Sequence, residues 1–216
     1  MVERKEPASG AAAQPPVARQ RLDAGARRAQ LIGIGLELIR TRPIDQIVLD
    51  EVIERAGISN GLLFHYFATK RDYQLAVVES AAAELLAAVA PDRSLGVLDQ
   101  LRSGIEGYLR YVEEHPLAYR SITRSAGSDE ALLELVERIK DAIVDLVAWP
   151  ITRDPDALLR LAIRGWIGGV EESALVWIRD RPCGREVLVD LLLRAGVHTF
   201  ALAGRRPPGM PVPPPR

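Results

Sequence analysis

Residues 48–67 read VLDEVIERAGISNGLLFHYF, and this stretch decides the fold. Within it, two short segments with helical spacing flank the tetrapeptide Ala56-Gly57-Ile58-Ser59. We expect Gly57 to take the left-handed conformation that ends the first helix, and Ser59 to cap the second helix with its hydroxyl. Ile58 is expected to fill the angle between the two helices. Two short helices around a short turn with glycine are typical of a helix-turn-helix.

The rest of the chain is also predicted to be helical, because it lacks sustained two-residue alternation and hairpin signals. Glycines and prolines divide it into about nine helices. We number these predicted helices 1 to 9, over residues 23–41, 48–56, 59–67, 70–89, 95–114, 117–124, 128–148, 156–179 and 185–202. The predicted fold class is all-α, with an N-terminal three-helix helix-turn-helix domain followed by a larger C-terminal helical domain.

Helix 3 has two different faces when its residues are placed at intervals of about 100°. Leu63 and Phe67 fall on one side and are predicted to face helices 1 and 2. Gly61, Phe64 and His65 fall on the other side, where an exposed aromatic ring indicates a contact surface. In a major groove, the glycine would allow close approach and the rings would meet thymine methyl groups or sugars. The alternative is a helical hairpin that only exposes a phenylalanine.

Composition excludes several classes of protein. A single cysteine, Cys183, excludes an internal disulfide and a clustered thiolate metal site, and the three histidines are too widely spaced to form a ligand pair. We therefore expect no metal site. No dinucleotide motif, phosphate-binding loop, Gly-x-Ser-x-Gly elbow or di-metal Glu-x-x-His pair occurs, so no catalytic residue, cofactor or enzymatic activity is predicted. Cys183 is interpreted as an incidental thiol, with a redox sensor as the alternative.

Hydropathy and charge limit the partners. No segment approaches the roughly 20 apolar residues of a membrane span, and the N-terminus lacks the apolar core of a signal peptide, so a cytoplasmic protein with no membrane partner is expected. The net charge of −1 excludes a wholly basic nucleic-acid coat. It allows a local basic patch, and residues 1–42 hold eight basic against four acidic residues.

The sequence resembles the TetR family of transcriptional regulators over about residues 25–75. The resemblance rests on helix 1 at residues 31–39 and on Ala56-Gly57-Ile58-Ser59, Gly61, Leu63, Phe64, Tyr66, Phe67 and Lys70. It implies an all-helical homodimer in which helices 1–3 bind DNA, while the C-terminal domain dimerises and often holds a small effector. Residues 23–69 are thus the predicted DNA-binding domain and residues 70–204 the predicted effector-binding and dimerisation domain. Residues 1–22 and the proline-rich residues 205–216 are predicted to be a disordered arm and tail.

The resemblance also implies roles for individual residues. It places Asn60, Gly61 and Phe64 at or near base edges, and it places His65 and Tyr66 against the sugar-phosphate backbone. Lys70 opens helix 4, where its ammonium group and the helix dipole both favour a phosphate. Arginines at the start of the chain are suited to phosphate contact. These are Arg27 and Arg28 on helix 1, and Arg19 and Arg21 in the arm, for which a solvated tail is an equal alternative.

The chain departs from the usual family pattern at five positions. Val48 stands where threonine often starts helix 2, Ile53 replaces a small residue, and Pro43 replaces a glycine after helix 1. These three affect local packing and capping. In helix 3, Asn60 and Leu62 replace a frequent lysine and threonine, which affects the operator sequence that the protein reads.

The C-terminal half offers a predicted dimer interface. Gly165, Gly168 and Gly169 interrupt helix 8 and cost roughly 1 kcal/mol each relative to alanine. Close approach of another helix would offset this cost. Helix 9 also has a broad apolar surface, so helices 8 and 9 are predicted to form a four-helix bundle with a second subunit, as the resemblance implies. The alternative is that both helices belong to the core of a monomer.

The same half offers a predicted effector site. Five aromatic residues are candidates for the lining of an apolar cavity, with ordinary core packing as the alternative: Tyr108, Tyr111, Tyr119, Trp149 and Trp166. Glu171 interrupts an apolar stretch and needs a partner if it is buried. Arg120 and Arg124 on helix 6, or Arg164 across the dimer, are candidates for an ion pair, and a cationic effector is the alternative. Since few charges converge in this region, a small apolar or amphipathic effector is predicted.

These features predict a ligand-responsive repressor that binds a palindromic operator as a homodimer. The alternative is a helical effector-binding or interaction protein whose helix-turn-helix no longer reads DNA.

Overall fold

The structure, a computed structural model, describes residues 23–125 and 129–204. The predicted arm and tail, including Arg19 and Arg21, lie outside the described residues. Within the described part, nine α-helices and one 3₁₀ turn, Ile44–Gln46, follow one another. The helices are α1 (Ala24–Ile39), α2 (Leu49–Ala56), α3 (Asn60–Tyr66), α4 (Lys70–Ala88), α5 (Val97–Glu114), α6 (Pro116–Ser125), α7 (Glu130–Ala148), α8 (Ala157–Asp180) and α9 (Arg185–Leu202).

The all-helical fold class is confirmed, and the helix ends lie within two residues of the predicted ones. Several helices begin one residue later than predicted for the same reason: the residue predicted to be the first of the helix is its N-cap. Asp23 accepts a hydrogen bond from the Ala26 amide (2.7 Å). Asp156 accepts one from the Leu159 amide (2.8 Å). The 3₁₀ turn was not predicted, and it begins directly after Pro43.

The core of the N-terminal domain continues into the C-terminal half. Leu31, Val52, Leu63 and Phe67 from the first three helices are buried in one cluster. The same cluster contains Tyr73, Val77 and Val78 of α4, together with Ala118 of α6 and Leu132 and Leu135 of α7. The first half of α4 is therefore packed as part of the DNA-binding domain, across the predicted boundary between residues 69 and 70.

Helix α4 is held tightly to α1 at its N-terminal end. The buried Tyr73 hydroxyl donates a hydrogen bond to the carbonyl oxygen of Leu31 (2.8 Å). Gly35 lets the two helices approach so closely that a methyl group in its place would overlap the Val77 side chain. Motion of the start of α4 must therefore carry α1 with it.

The C-terminal end of α4 is held to α5 in the same way. A methyl group at Gly107 would overlap the main-chain carbonyl of Ala88, which no side-chain rotation can relieve. One turn later, the Tyr111 hydroxyl donates to the carbonyl oxygen of Ala81 (2.9 Å). The rest of the C-terminal domain packs as two further clusters, formed mainly by α5, α8 and α9 and by α5, α7, α8 and α9.

We expect Gly107→Ala to lower the free energy of unfolding by about 1–3 kcal/mol, because α4 and α5 must move apart to admit the methyl group. Gly104→Ala is the matched control on the same helix, since its nearest neighbour, the Val89 carbonyl oxygen, would lie at an ordinary 3.5 Å. That variant is expected to be neutral or to gain up to about 1 kcal/mol of helix propensity. Urea unfolding measures both. Equal stability of the two variants would contradict the close α4–α5 contact.

Candidate DNA-binding surface and ligand cavity

The turn between α2 and α3 has the predicted geometry. Gly57 lies in the left-handed region with φ 62° and ψ 42°. Its amide donates to Glu54 O (3.1 Å), and the Ile58 amide donates to Ile53 O (3.2 Å). This pair of hydrogen bonds is a Schellman ending, which a residue with a left-handed backbone permits. Ile58 is partly buried against the core between the helices.

The two helices of the motif begin differently. Ser59 caps α3, since its hydroxyl accepts a hydrogen bond from the Leu62 amide (3.3 Å) as predicted. Val48 supplies no side-chain cap to α2. Instead, Glu51 in the first turn of α2 forms ion pairs with Arg42 (2.6 Å) and Arg55 (2.6 Å). The departure at Val48 therefore leaves α2 without a side-chain cap, and the helix forms nonetheless.

The two faces of α3 lie as predicted. Leu63 and Phe67 are buried against the first three helices. Gly61, Phe64 and His65 are exposed, and the Phe64 side chain has 42% of its surface accessible. Open space surrounds Gly61, with no atom within 4 Å of the position a Cβ would take. The outer face of α3 can therefore be approached closely by a partner.

The neighbours of this face are also exposed or half-buried. Asn60 is exposed at the start of α3, and Tyr66 is half-buried with its ring edge-on to His65 at 5.3 Å. Arg28 places its guanidinium 5.2 Å from the centre of the Phe67 ring. Arg27 donates a hydrogen bond to the side-chain carbonyl of Gln30 (2.6 Å). Contact of these residues with DNA stays a prediction.

Lys70 is exposed at the first position of α4. Its ammonium group donates to the carbonyl oxygen of Asp45 in the 3₁₀ turn (3.2 Å). Thr69 and Asp72 form a capping box at this helix end, with the Asp72 carboxylate accepting from the Thr69 amide (2.9 Å). A carboxylate thus already occupies the helix N-terminus, so the ammonium group of Lys70 is the main attraction that remains for a phosphate.

Lys70→Ala is expected to weaken binding to all DNA sequences alike and to reduce the slope of log affinity against log salt by about one. Fluorescence anisotropy over a salt series measures this. Lys70→Arg keeps both the charge and a hydrogen-bond donor, so it should retain most of the affinity. A change of sequence preference in Lys70→Ala would show that this residue is not a phosphate contact.

A cavity of about 130 Å³ lies between α4, α5, α6, α7 and α8. Its walls are mostly aliphatic, from residues such as Val78, Leu85, Ile105, Ile122, Ile139 and Val170. The structure brings five of the six predicted effector-site residues to this cavity, namely Tyr108, Tyr111, Tyr119, Trp166 and Glu171. The indole NH of Trp166 is already used, since it donates to Leu192 O (3.0 Å).

The prediction that Trp149 lines the cavity is wrong. Trp149 is the residue that follows the last turn of α7, and its side chain lies at the surface with 37% of its area exposed. Its ring is covered by two guanidinium groups, of Arg93 at 4.7 Å and Arg153 at 3.1 Å. These cation–π contacts hold the ring on the outside of the domain.

Within the protomer, Glu171 has a partner that was not among the predicted candidates. The carboxylate pairs with Lys140 of α7, with 3.3 Å between Oε2 and Nζ. Arg164 pairs instead with Asp141 (2.6 Å) and Glu137 on α7. Burial raises the pKa of Glu171, and the nearby ammonium group of Lys140 opposes this rise. The side chain of Arg124 lies outside what the structure describes.

Two tyrosines complete this polar end of the cavity. The hydroxyls of Tyr108 and Tyr119 are 2.5 Å apart and share a hydrogen bond. Burial raises the pKa of both phenols well above its ordinary value. Both hydroxyls therefore remain protonated at physiological pH.

Sequence reasoning missed several residues that the structure places at these sites. Lys140, Gln100 and Thr123 line the cavity. The Ser121 hydroxyl of α6 accepts a hydrogen bond from the Ile44 amide (2.9 Å), which ties the 3₁₀ turn to the C-terminal half. No local pattern marks these residues, because each depends on a contact between distant elements.

The buried scaffold, the left-handed turn and the exposed face of α3 define a helix-turn-helix DNA-binding protein. Comparison with known families gives the particular class. Residues 31–76 match the model described as bacterial regulatory proteins, tetR family. Residues 97–199 match the model of the tetracyclin repressor-like C-terminal domain. The chain belongs to the TetR family of DNA-binding transcriptional regulators, a family of non-enzymatic proteins.

Known proteins agree with this assignment. The chain is 26% identical over 192 residues to the HTH-type transcriptional activator FasR of Mycolicibacterium smegmatis, with 85% of each protein covered. It is 28% identical over 175 residues to the transcriptional regulator AcuR of Cereibacter sphaeroides, covering 71% of this chain and 78% of the relative. A crystal structure of a TetR-family regulator from Streptomyces coelicolor superposes with a TM-score of 0.75 at 27% identity, over 85% of this chain and 84% of that one.

Within residues 23–125 and 129–204, no helix is both long and apolar enough to span a bilayer. In the same part of the chain, no group of three or more His, Cys, Asp or Glu side chains is arranged to hold a metal ion.

Proposed function

We propose that the protein is a cytoplasmic, ligand-responsive repressor that binds a palindromic operator as a homodimer. The observation that carries this proposal is the outer face of α3, where Gly61 and Phe64 are exposed on a helix whose other face is fully packed. Asn60 and Phe64 are assigned to base edges, since Asn can pair with adenine and an aromatic ring can contact a thymine methyl group. His65, Tyr66, Lys70, Arg27 and Arg28 are assigned to the DNA backbone.

The proposed dimer forms through α8 and α9. The exposed apolar surface of these two helices is covered by the same surface of a second copy of this chain. Large apolar side chains are exposed along one face of each helix: Leu158 and Leu161 on α8, and Val187, Leu191 and Leu202 on α9. The same face of α8 continues with Gly165, Gly168 and Gly169. A Cβ at any of these three glycines would have no described atom within 4 Å, apart from its own helix backbone and chain neighbours. The helix-propensity cost of these glycines is thus not offset by close packing against the described residues of the protomer, and an approaching helix would offset it.

The cavity contacts both elements that hold the DNA-binding domain. Val78, Ala81 and Leu85 of α4 line it, and α4 is clamped to α1 through Tyr73 and Gly35. Tyr119 and Ile122 of α6 also line it, and Ser121 between them bonds to the backbone of Ile44. A ligand that displaces α4 or α6 would therefore move the helix-turn-helix.

Displacement of α4 or α6 by a ligand would release the DNA, because it changes the distance between the two α3 helices of the dimer. The two α3 helices of a dimer must lie roughly 34–36 Å apart to enter successive major grooves. A ligand that swings the two domains spoils this spacing and releases the operator. The relative FasR is described as an activator, so the sign of regulation needs its own test. Deleting the gene should raise expression from the bound promoter, whereas a fall in expression would show activation.

The alternative function is a helical ligand-binding or interaction protein whose helix-turn-helix no longer reads DNA. A gel shift with DNA from upstream of the protein's own gene separates the two functions. A discrete complex that survives excess unrelated DNA supports the regulator. Absence of any complex at micromolar protein, with a folded dimer in the same sample, supports the alternative.

Effector and operator are expected to weaken each other's binding by the same factor, because linkage between two sites is reciprocal. The expected factor is about 5–150, which corresponds to a coupling free energy of about 1–3 kcal/mol. A gel shift first identifies a ligand that releases the operator. Isothermal titration calorimetry of the protein with that ligand, in the absence and in the presence of operator DNA, then measures the coupling factor. Equal ligand affinity in the two titrations would reject the coupling even for a protein that binds DNA.

A further inference from the structure

The hydroxyl groups on the wall of the cavity already have partners within the protein. The hydroxyls of Tyr108 and Tyr119 are bonded to each other (2.5 Å). The Thr123 hydroxyl donates to the carbonyl oxygen of Tyr119 (2.8 Å), and the Tyr111 hydroxyl donates to Ala81 O (2.9 Å). A ligand that needs a hydrogen bond from one of these groups must therefore compete with a contact that the protein already makes.

The nitrogen donors on the wall are occupied as well. The indole NH of Trp166 donates to a main-chain carbonyl of α9 (3.0 Å), and the side-chain amide of Gln100 donates to Leu95 O (2.7 Å). The side-chain oxygen of Gln100 is fully buried, so a ligand in the cavity cannot reach it. Among the described residues, each uncharged side-chain OH or NH group on this wall thus has a partner.

The charges of the cavity wall favour a neutral ligand. Among the described residues that line it, only Lys140 and Glu171 are ionisable to a full charge near neutral pH, and they pair with each other at 3.3 Å. An anion would gain the ammonium group of Lys140 but would meet the carboxylate of Glu171, and a cation would meet the reverse. Either charge would also have to leave water for walls that are almost wholly aliphatic.

The volume of the cavity limits the size of the ligand. A cavity of roughly 150 Å³ lined by aliphatic and aromatic side chains binds one benzene molecule. The cavity here has a volume of about 130 Å³ and similar walls. It is therefore matched to a compact molecule of about six to eight non-hydrogen atoms, and a compound with two fused rings does not fit.

We propose that the cavity binds one neutral, apolar molecule of the size of benzene or toluene, and that the effector belongs to this class. Such a molecule gains affinity from the burial of its apolar surface and breaks none of the hydrogen bonds on the wall. It would contact both α4 and α6, the two elements that hold the DNA-binding domain. This inference rests on the proposed ligand response and assigns the chemical class of that ligand.

The test compares toluene, phenol and naphthalene by isothermal titration calorimetry. Phenol has the size of toluene but replaces the methyl group by a hydroxyl, which would leave water without a free partner in the cavity. We therefore expect toluene to bind at least about fivefold more tightly than phenol. Naphthalene is more apolar than toluene and would bind more tightly to an open apolar surface. In this cavity, it should bind at least about fivefold more weakly, because its second ring does not fit.

Variants of the wall locate the bound molecule. Val170→Phe adds a ring to the cavity wall from α8 and should remove toluene binding, since the new side chain takes the same space. Ala82→Leu fills the cavity from α4 and serves if the first variant does not fold. Leu133→Phe is the matched control, because Leu133 is exposed on α7 and does not line the cavity, so toluene binding should be kept. Circular dichroism verifies that each variant is folded.

Four results would overturn the proposal. These are no binding of toluene up to its solubility limit, tighter binding of naphthalene than of toluene, phenol affinity equal to that of toluene, and unchanged toluene affinity in a folded Val170→Phe protein. Saturating toluene is also expected to release the operator in a gel shift, and binding without release would show that this class is not the effector. The proposed DNA binding is judged separately, because the gel shift with promoter DNA alone contains no ligand.

Discussion

Gly61→Glu is expected to lose operator binding by at least about a hundredfold while the protein remains folded and dimeric. Gly61 lies on the exposed face of α3 with open space around it, so a larger side chain causes no clash within the described part of the protein. The same open space is where a base edge or phosphate must approach. A glutamate there blocks the approach sterically and opposes the phosphates electrostatically, and the loss of one or two base contacts at about 1–3 kcal/mol each gives the expected factor.

The measurement is fluorescence anisotropy with the operator, beside circular dichroism and sedimentation velocity. Ala83→Glu provides the matched control, because it adds the same carboxylate at an exposed position of α4 away from the α3 face. That variant should bind DNA nearly as the unchanged protein does. Unchanged operator affinity in Gly61→Glu would show that α3 is not the helix that reads DNA.

The double variant Leu161→Arg/Leu191→Arg is expected to weaken dimerisation by at least about a hundredfold. The two side chains are 67% and 60% exposed in the protomer, so the substitutions cost little in the isolated chain. In the proposed interface, each arginine would be buried without a partner and would face the same charges on the second copy. Burial of unpaired charge is among the most destabilising changes an interface can suffer.

Sedimentation equilibrium gives the dimer dissociation constant directly. Leu133→Arg on α7, where leucine is 45% exposed, is the control for adding an arginine to an exposed apolar position. It should leave the dimer unchanged. Because each protomer would then bind a half-site of the operator without its partner, the double variant should also lose specific operator binding. It should keep weak, non-specific DNA binding. A double variant that stays dimeric would place the interface elsewhere on the protein.

The helix-turn-helix was predictable because its determinants are local. Gly57 ends α2 and Ser59 caps α3 through hydrogen bonds that span three to five residues. The buried and exposed faces of α3 follow from helical periodicity alone, so Leu63 and Phe64 were assigned correctly from their spacing. Such features need no knowledge of what the rest of the chain does.

The cavity was predictable only in part, because its walls depend on the register between distant helices. The aromatic residues Tyr108, Tyr119 and Trp166 were candidates for its lining, and they do line it. The sequence gives no information on which residue of α7 lies opposite Glu171, so Lys140 was missed. Trp149 was wrongly assigned. It follows the last residue of α7, and its ring is held at the surface by Arg93, in the loop between α4 and α5, and by Arg153, in the loop after α7.

The central claim is that this chain reads a specific DNA sequence with two copies of α3. It is tested most directly by selecting bound duplexes from a random DNA pool with the purified protein and sequencing them. The claim predicts enrichment of one inverted repeat whose half-site centres lie about one helical turn, or a multiple of it, apart. The Gly61→Glu protein should enrich nothing from the same pool. Failure of the unchanged, folded dimer to enrich any sequence would contradict the claim.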